Sequence, residues 1–484
     1  MKNILLKKVI VFYFILTLLL PINNTYAKEI ESELSKYEDS INEGNEKINL
    51  LIKHILSSYY GEGNEDLNVD ILYEAAIKGM FEELDEYSEY YSKEEWDKYA
   101  EMQTGKSYGL GVSVSKVANG LIVNSIIEDS GAQKAGIQVN DIIISADGID
   151  LSNFTLDEAV NVVKGEKGTL VEIIVNRAGS LIKFEVERCE IKENPIVATL
   201  LSEITNNEID KNTLYMSISN FNGNTGEFFY DEMDKYENQN VEKMILDLRN
   251  NPGGLMDEAL KVASYFLDKD EKIVTLRDKL GNETTFSSKT VSNMDKVVVL
   301  INGHSASASE LLTAALRENE KSLVIGESSF GKSIAQTLFS HNGLNYKMTT
   351  EEYFTPNNNS IAKVGIKPDE IIESPKYIYD VKYKYFGGEK SEDIISVKSM
   401  LKFLGYDIKD ESDVYDNYTF EQVKKFQFDN NLGSYGGIDY TTQRTLNKAA
   451  LEKSNEKDIQ LEKAIEVIRY YDKYIDVHYK NEIE

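Results

Sequence analysis

The chain has 484 residues, which at about 150 residues per domain predicts roughly three domains, and its 41% hydrophobic residues are enough for sizeable cores. Its formal net charge of −29 repels a phosphate backbone, so no nucleic-acid partner is expected. A single cysteine, Cys189, excludes an intramolecular disulfide, and with four scattered histidines we predict no metal site and no cofactor.

Residues 1–27 have the pattern of a secretory signal. Three lysines precede the apolar run 9–20, and Thr25-Tyr26-Ala27 closes the segment. The run is short for a membrane span, which favours a signal peptide. Because Thr25 is a second-best residue three positions before a cut, an uncleaved membrane anchor is the alternative. We therefore expect an exported, extracytoplasmic protein that is membrane-anchored, wall-associated or secreted.

Two regions with different sequence patterns follow. Residues 28–104 are polar and tyrosine-rich, with apolar residues at helical spacing, as in the series Ile71, Ala75, Ala76, Met80, Leu84. From Ser107 short strand patterns alternate with glycine turns, and one stretch, Leu156–Val163, has a helical pattern. We predict a helical N-terminal region over 28–104 and a strand-rich domain over 105–192.

Residues 193–375 alternate apolar strands with helical patterns, which is typical of an α/β core. The predicted strands are Met244–Leu248, Val297–Ile301 and Leu323–Ile325. The predicted helices are Leu255–Leu267 and Ser307–Arg317. A small helical unit is predicted over 390–451 and a charged terminal helix over 452–484, so the fold class is multidomain α+β.

The stretch Gly303–Glu310 joins an apolar strand to a helix and contains Ser305, Ser307 and Ser309. A serine at such a junction lies at a helix N-terminus, where outward-pointing N–H groups favour negative charge. An oxyanion intermediate requires that environment. The plainer interpretation is that a serine caps the helix, with Glu310 completing a capping box from Ser307.

A second stretch, Gly326–Ser333, satisfies the phosphate-binding pattern G-x-x-x-x-G-K-[ST]. A nucleotide site of this kind needs a long helix directly after the glycine loop. Residues 334–338 and 346–348 have strand-like patterns instead. Nucleotide binding is therefore the least favoured function.

The alternative role for Lys332 is general base for Ser307, as in the Ser–Lys variants of the serine hydrolases. A lysine can act so only if burial lowers its pKa, and Phe330 and Ile334 are suitable apolar neighbours for such a pocket. Gln336, further along the same segment, is placed to orient the amine by hydrogen bonding. The sequence thus predicts a catalytic set of Ser307, Lys332 and Gln336.

A histidine base is the familiar rival to a lysine. His304 lies only three residues before Ser307, which is an awkward placement for a base at a strand–helix turn. We therefore predict a structural role for His304.

A third stretch, Asp247–Gly254, carries a buried strand into the turn Asn251-Pro252-Gly253-Gly254. Consecutive glycines let backbone N–H groups face a ligand without side-chain obstruction. A tight strand–helix turn is the structural alternative. The functional interpretation is an oxyanion hole formed by Gly253, Gly254 and the N–H of Ala308.

Together these stretches resemble the C-terminal processing peptidases, also called tail-specific proteases, over most of Ile71–Asp369. The family's S-A-S-A-S-E and D-L-R-x-N-P-G-G motifs correspond to Ser305–Glu310 and Asp247–Gly254. Further matching segments are Leu84–Ser88, Thr350–Pro356 and Gly365–Asp369. The resemblance implies a serine endopeptidase with Ser307 as nucleophile, Lys332 as base and Gln336 in support.

Residues 105–192 resemble the PDZ domain of that family. The resemblance implies that Gly109-Leu110-Gly111 is the carboxylate-binding loop, that 156–163 is the groove helix, and that a peptide tail adds as a strand. The chain departs from the family at Gly131-Ala132 and Asn140-Asp141, where Pro-Ala and Gly-Asp are usual, and at Ser333, where the usual residue is glycine.

Residues 393–449 resemble a three-helix peptidoglycan-binding domain, for which a protein-interaction or gating role is the alternative. The helical segments 28–104 and 452–484 suit a homodimer, although a solvated helical face has the same pattern. The predicted partners are thus proteins or peptides with free C-termini, and in addition peptidoglycan. The alternative function is a catalytically silent scaffold that binds tails and cell wall.

Overall fold

The computed structural model describes residues 36–61 and 67–479, so the predicted signal segment 1–27 lies outside the described residues. The chain divides into two compact units. The first runs to Ala100 and takes in Ala335–Glu351, and the second comprises Glu101–Ile334 and the chain from Glu352 onward. Within the described residues, no helix has the length and apolar character needed to cross a membrane.

The secondary structure is a mixture of helices and strands, as the sequence predicts. The strands are β1 (Glu89–Tyr91), β2 (Lys106–Gly109), β3 (Val112–Val117), β4 (Gly120–Ile126), β5 (Ile142–Ala146), β6 (Ile149–Asp150), β7 (Leu170–Arg177), β8 (Ser180–Glu187), β9 (Cys189–Lys192), β10 (Ile196–Leu200), β11 (Thr213–Ile218), β12 (Lys243–Asp247), β13 (Lys272–Asp278), β14 (Glu283–Ser287), β15 (Val297–Ile301), β16 (Ser322–Gly326), β17 (Ile334–His341), β18 (Leu344–Phe354) and β19 (Glu370–Ile371). The α-helices are α1 (Glu38–Ser58), α2 (Val69–Glu82), α3 (Lys93–Thr104), α4 (Gly131–Ala135), α5 (Leu156–Val163), α6 (Leu201–Thr205), α7 (Thr225–Tyr236), α8 (Met256–Phe266), α9 (Ala308–Glu318), α10 (Glu392–Leu404), α11 (Asn417–Asp429), α12 (Tyr440–Glu456), α13 (Ile459–Arg469) and α14 (Tyr471–Tyr479).

The first unit is built from α1, α2, β1, the larger part of α3 and the hairpin of β17 and β18. Strand β1 pairs antiparallel with β18, in a register that places Glu89 opposite Lys347. Lys347 also lies over the rings of Tyr91 and Tyr99. Strand β1 is the exception within the predicted helical region 28–104, because its residues find a hydrogen-bonding partner in β18, far away in sequence.

Residues 106–192 form a sheet of order β3-β4-β5-β7-β8 around an apolar core, with β2 paired to β9. Helix α5 has the predicted bounds and begins with a capping box between Thr155 and Glu158. Helix α4, which the sequence did not predict, begins where the Ser130 side chain accepts the N–H of Gln133. Strand β3 is at the edge of its sheet, where a further strand is able to pair.

The central sheet of the second unit has the order β10-β11-β12-β15-β16-β19, with β10 antiparallel and the others parallel. Both faces are covered, as is usual for parallel strands. Residues of α7, α8 and α9 pack on one face, and residues of α13 pack on the other. Strands β12, β15 and β16, which lead into the three motif stretches, are thus buried on both faces.

The prediction of a single terminal helix over 452–484 is wrong, because helix α12 ends at Glu456 and two further helices follow it. The Asp458 side chain accepts the N–H of Leu461 and so starts α13 as a new helix. Arg469, at the end of α13, forms a two-pronged ion pair with the buried Asp210, at 2.8 and 2.6 Å. Before this break, α10, α11 and α12 surround a separate apolar core that begins as early as Ile378.

Candidate active site

Three loops meet at the carboxyl edge of the parallel sheet, following β12, β15 and β16. Ligand sites of open α/β sheets form at this edge. The loops are tied together by Asn251, whose carbonyl oxygen accepts the N–H of Ala306 and the hydroxyl of Ser309, both at 3.0 Å. The Asn251 side chain is fully buried and donates to the carbonyl of Ile218. The glycine turn and the serine loop are therefore one packed assembly.

Ser307 directly precedes α9 in a strained backbone conformation, with φ of 55° and ψ of −115°. Such strain in a non-glycine residue persists only where the surroundings impose it, and it is common at active sites. The neighbouring serines are used for structure, since Ser305 donates to the carbonyl of Leu248 and Ser309 to that of Asn251. The structure thus distinguishes the middle serine from the two beside it.

Glu310 is fully buried and connects the serine loop to the lysine loop. One carboxylate oxygen accepts the N–H groups of Ser307 at 2.8 Å and Lys332 at 3.0 Å. The other accepts the hydroxyl of Ser329 and the N–H of Gly331, both at 2.6 Å. The sequence suggested only a local capping role for Glu310. In the structure this residue fixes the backbones of the predicted nucleophile and base relative to each other.

Burial raises the pKa of Glu310, and the four donated hydrogen bonds oppose that rise. A carboxylate that accepts four bonds is satisfied only in its ionised form, because a protonated carboxyl group has to donate one. Tyr353 adds a further link, since its hydroxyl donates to the carbonyl of Ser307 at 3.2 Å and to that of Lys332. Burial, followed by the nearby charge of Glu310, raises the pKa of Tyr353 well above its ordinary value, so this hydroxyl stays protonated.

The surroundings of Lys332 differ in part from the expectation. Lys332 and Ile334 are half-buried, whereas the Phe330 side chain, expected to bury the lysine, is itself 53% exposed. Gly331 has φ of 89°, and an added Cβ would lie 2.9 Å from two backbone nitrogens, so the residue before the lysine has to be glycine. The lysine is therefore held by its backbone, through Glu310 and Tyr353.

The glycine turn approaches the serine loop closely. A Cβ on Gly253, where φ is 97°, would lie 2.8 Å from Cβ of Ser307 and 2.9 Å from the nitrogen of Ala308. The N–H of Gly253 donates to the Asn251 side chain at 2.9 Å. The bridge between Phe221 and Gly254 uses the carbonyl of Gly253 and the N–H of Leu255, and it does not use the N–H of Gly254. Ala308 is the first residue of α9, where an N–H lacks an intrahelical acceptor.

Gln336 belongs to the first unit, whereas Ser307, Lys332, Gly253 and Ala308 belong to the second. Within its own unit Gln336 lies in β17, and its side-chain amide donates to the hydroxyl of Thr349 at 3.1 Å. Residues 334–341 form a strand, as the sequence predicts. A phosphate-binding loop requires a helix at this position.

The predicted carboxylate-binding loop ends β2 and leads into β3. The Leu110 side chain is buried in the apolar core, and its carbonyl accepts the N–H of Ala132. Gly111 has φ of 81° and lies against Ser130, where a Cβ would overlap the serine side chain. The loop is therefore fixed at Leu110 and Gly111 by contacts with α4 and Ser130, and it lies next to the edge strand β3.

Other polar residues that the sequence singled out lie apart from this chemistry. His304 is exposed, and its N–H donates to the Asn302 side chain. Cys189 is a half-buried free thiol in β9. Over residues 36–61 and 67–479 no group of three or more histidine, cysteine, aspartate and glutamate side chains is placed to hold a metal ion.

Comparison with known families agrees with this organisation. Residues 212–372 match the model of Peptidase family S41, residues 100–175 match the PDZ domain, and residues 390–446 match the putative peptidoglycan binding domain.

Two bacterial relatives match over most of their length. The carboxy-terminal processing protease CtpA of Bacillus subtilis is 33% identical over 432 residues, which is 88% of this chain and 90% of the relative. A probable CtpA-like serine protease of Staphylococcus epidermidis is 35% identical over 428 residues, which is 86% of this chain and 84% of the relative. Among solved structures, the photosystem II D1 C-terminal processing protease is 23% identical with a TM-score of 0.37, covering 66% of this chain and 85% of that one.

Proposed function

Because the chain belongs to Peptidase family S41, among the carboxy-terminal processing proteases, we propose that this serine-type peptidase uses Ser307 and Lys332 as a catalytic dyad. Glu310 carries the proposal, since its carboxylate accepts the N–H groups of both residues. A buried side chain that joins two loops in this way restricts the distance between them. General-base catalysis depends on such positioning.

The proposed reaction begins when the neutral Lys332 amine takes the proton of the Ser307 hydroxyl. The serine oxygen attacks the scissile carbonyl, and the resulting ammonium then gives its proton to the departing amine. This leaves an acyl-enzyme. Water, deprotonated by the same lysine, attacks the ester. The ammonium then returns the proton to the serine oxygen as the second product leaves, which restores the serine hydroxyl and the neutral amine.

The oxyanion of each tetrahedral intermediate is assigned to the N-terminus of α9, where the Ala308 N–H and the helix dipole favour negative charge. The glycine pair is the source of the second donor. Gly254 is the better candidate of the two, because the Gly253 N–H is already donated to Asn251. Gln336 is proposed to orient the lysine amine.

Substrate choice is assigned to the PDZ domain, here taken as 105–192. The backbone of Gly109-Leu110-Gly111 would hold the terminal carboxylate, and the tail would pair with the edge of β3 beside α5. This arrangement selects polypeptides with free C-termini and apolar ends, and presents the adjoining segment for cleavage.

The remaining assignments concern location and assembly. The peptidoglycan-binding domain and the relatives support an extracytoplasmic protease. We assign residues 1–27 as the export signal or membrane anchor, 390–451 as the wall-binding domain, and 193–375 with parts of 71–104 as the protease core. The helical segments at both ends are assigned to a homodimer interface.

The decisive experiment uses residues 28–484 with an unstructured peptide that ends in apolar residues, as free acid and as C-terminal amide. Cleavage of the acid, slower cleavage of the amide and none by Ser307→Ala or Lys332→Ala would support both dyad and tail recognition. Equal rates for both peptides would refute the role of the carboxylate loop. Undiminished cleavage by Lys332→Ala would refute the dyad, and tight binding without cleavage would favour the silent scaffold.

A further inference from the structure

A chain of hydrogen bonds in the first unit leads from Gln336 to Asp85. The Gln336 amide nitrogen donates to Oγ1 of Thr349 at 3.1 Å. The Thr349 hydroxyl in turn donates to Oδ1 of Asp85 at 3.1 Å. Thr349 is further fixed by its backbone N–H, which donates to the Ser88 hydroxyl at 3.0 Å. Asp85 and Ser88 come from the segment between α2 and β1, and both belong to the Leu-Asp-x-Tyr-Ser stretch.

Asp85 accepts hydrogen bonds from the residues that directly follow it in the sequence. Its Oδ1 accepts the N–H groups of Tyr87 at 2.8 Å and Ser88 at 3.0 Å, and its Oδ2 accepts the Ser88 hydroxyl at 3.0 Å. Burial raises the pKa of Asp85, but these bonds and the one from Thr349 outweigh burial and leave the pKa below its usual value. The carboxylate is therefore ionised at neutral pH and has no proton to donate.

Because Asp85 at one end only accepts, the donor and acceptor of every hydrogen bond in this series are determined. The Thr349 hydroxyl has to donate to Asp85, and only the lone pairs of Oγ1 are available to Gln336. An amide meets a lone pair with its NH₂ group and not with its oxygen. The Gln336 side chain therefore turns its nitrogen toward Thr349 and its oxygen away.

We propose that Asp85 and Thr349 are positioning residues that set the orientation of the Gln336 amide, with its nitrogen toward Thr349. This inference rests on the proposed function, in which Gln336 orients the base. A neutral amine has two N–H donors and one lone pair. If one N–H is held by an amide oxygen, the lone pair has fewer directions available, and proton transfer from Ser307 becomes more frequent.

The inference assigns a role to a part of the chain that the peptidase family match does not include. That match spans 212–372, whereas Asp85 lies upstream of the PDZ domain. The Leu-Asp-x-Tyr-Ser stretch thereby has a chemical role, which is to supply an acceptor that is ionised at neutral pH. The two other residues of this hydrogen-bond series, Thr349 and Gln336, lie in the β17–β18 hairpin.

The test compares Thr349→Val, which removes the hydroxyl at nearly constant volume, with Thr349→Ser, which keeps it. The control is Thr337→Val, which makes the same change one residue from Gln336 and removes only a bond to the Thr350 hydroxyl. Using the free-acid peptide, we expect kcat of Thr349→Val to fall about tenfold at unchanged KM, because orientation acts on the chemical step. Thr349→Ser and Thr337→Val should retain most of the wild-type kcat.

A double-mutant cycle separates positioning from mere structural support. If Thr349 acts through Gln336, Thr349→Val will lower kcat no further in a Gln336→Ala background. A full tenfold loss in that background would overturn the inference, as would an equal loss in Thr337→Val. If Gln336→Ala alone keeps full kcat, the inference also fails, whereas the dyad is still decided separately by Ser307→Ala and Lys332→Ala.

Discussion

The carboxylate of Glu310 accepts the backbone N–H of Ser307, three residues upstream, at 2.8 Å. The same oxygen accepts the N–H of Lys332, so the spacing of the two loops depends on one acceptor. Glu310→Gln replaces one carboxylate oxygen by an NH₂ group, which faces two donors instead of accepting them. We expect kcat to fall about a hundredfold, the loss that a displacement of about 1 Å produces.

Purified Glu310→Gln should be compared with Glu320→Gln, an identical change at an exposed residue just beyond α9. Both are measured by peptide cleavage and by urea unfolding. We expect Glu310→Gln to lose about 1–3 kcal/mol of unfolding free energy, since it leaves buried donors unsatisfied. Wild-type kcat in that variant would contradict the role given to the carboxylate.

Tyr353 links the same two loops from another direction, through the carbonyls of Ser307 and Lys332. Tyr353→Phe removes only the hydroxyl. We expect about a tenfold lower kcat at similar KM, with an unfolding free energy reduced by about 1 kcal/mol. Tyr379→Phe, at a ring that is 93% exposed, is the matched control. A variant that loses stability but keeps kcat would show that the hydroxyl serves the fold alone.

The close approach of Gly253 to Ser307 predicts that no side chain is tolerated there. Gly253→Ala places a Cβ within 2.8 Å of Cβ of Ser307 at a φ of 97°. We expect cleavage to fall below one per cent of wild type, because the serine loop has to move. Gly79→Ala in α2, where nothing lies within 4 Å of the added Cβ, should be neutral or slightly stabilising. The peptide assay and thermal unfolding of both variants check this, and an active Gly253→Ala would be inconsistent with the packing.

The ion pair of Arg469 with Asp210 predicts an acid-sensitive attachment of α13. Hydrogen bonding by Arg469 outweighs the opposing effect of burial and holds the pKa of Asp210 below its usual value of 3.8. The folded state therefore binds this proton less readily than the unfolded state. The stabilisation is complete above about pH 5 and is lost as the pH falls through the folded pKa.

Asp210→Asn should lower the unfolding free energy at pH 7 by about 2 kcal/mol, less than a fully buried pair because the Arg469 side chain is about a third exposed. Toward pH 3 the wild type and the variant should converge. Urea midpoints at pH 7, 5, 4 and 3 measure this. A constant difference across that range would exclude a contribution from the Asp210 proton.

Much of the core was predictable from the sequence, because local pattern decides it. The apolar runs at Val297–Ile301 and Leu323–Ile325 are buried strands, and Leu156–Val163 is a helix with a capping box. The roles of Glu310 and Tyr353 were not predictable, because their partners come from other loops. The three-residue spacing of Ser307 and Glu310 indicated their mutual hydrogen bond but not the bonds from the lysine loop to Glu310.

Other misses have the same physical origin. Phe330 is apolar and adjacent to Lys332, yet sequence alone does not show on which side of a loop a ring lies. The link from Asp85 to Gln336 joins segments far apart in the chain, so no window of sequence contains it. The interruption at Asp458 was readable in principle, since aspartate is a preferred helix N-cap, but the charged pattern on either side masked it.

Helix α13 covers one face of the central sheet although it comes much later in the sequence. It covers apolar residues of β12, β15 and β16, including Ile245, Val298 and Leu323. These strands are synthesised long before α13, so their apolar residues lack this cover while the intervening chain is made. Until α13 packs onto it, that face of the sheet exposes apolar residues, which favours aggregation of the incomplete chain.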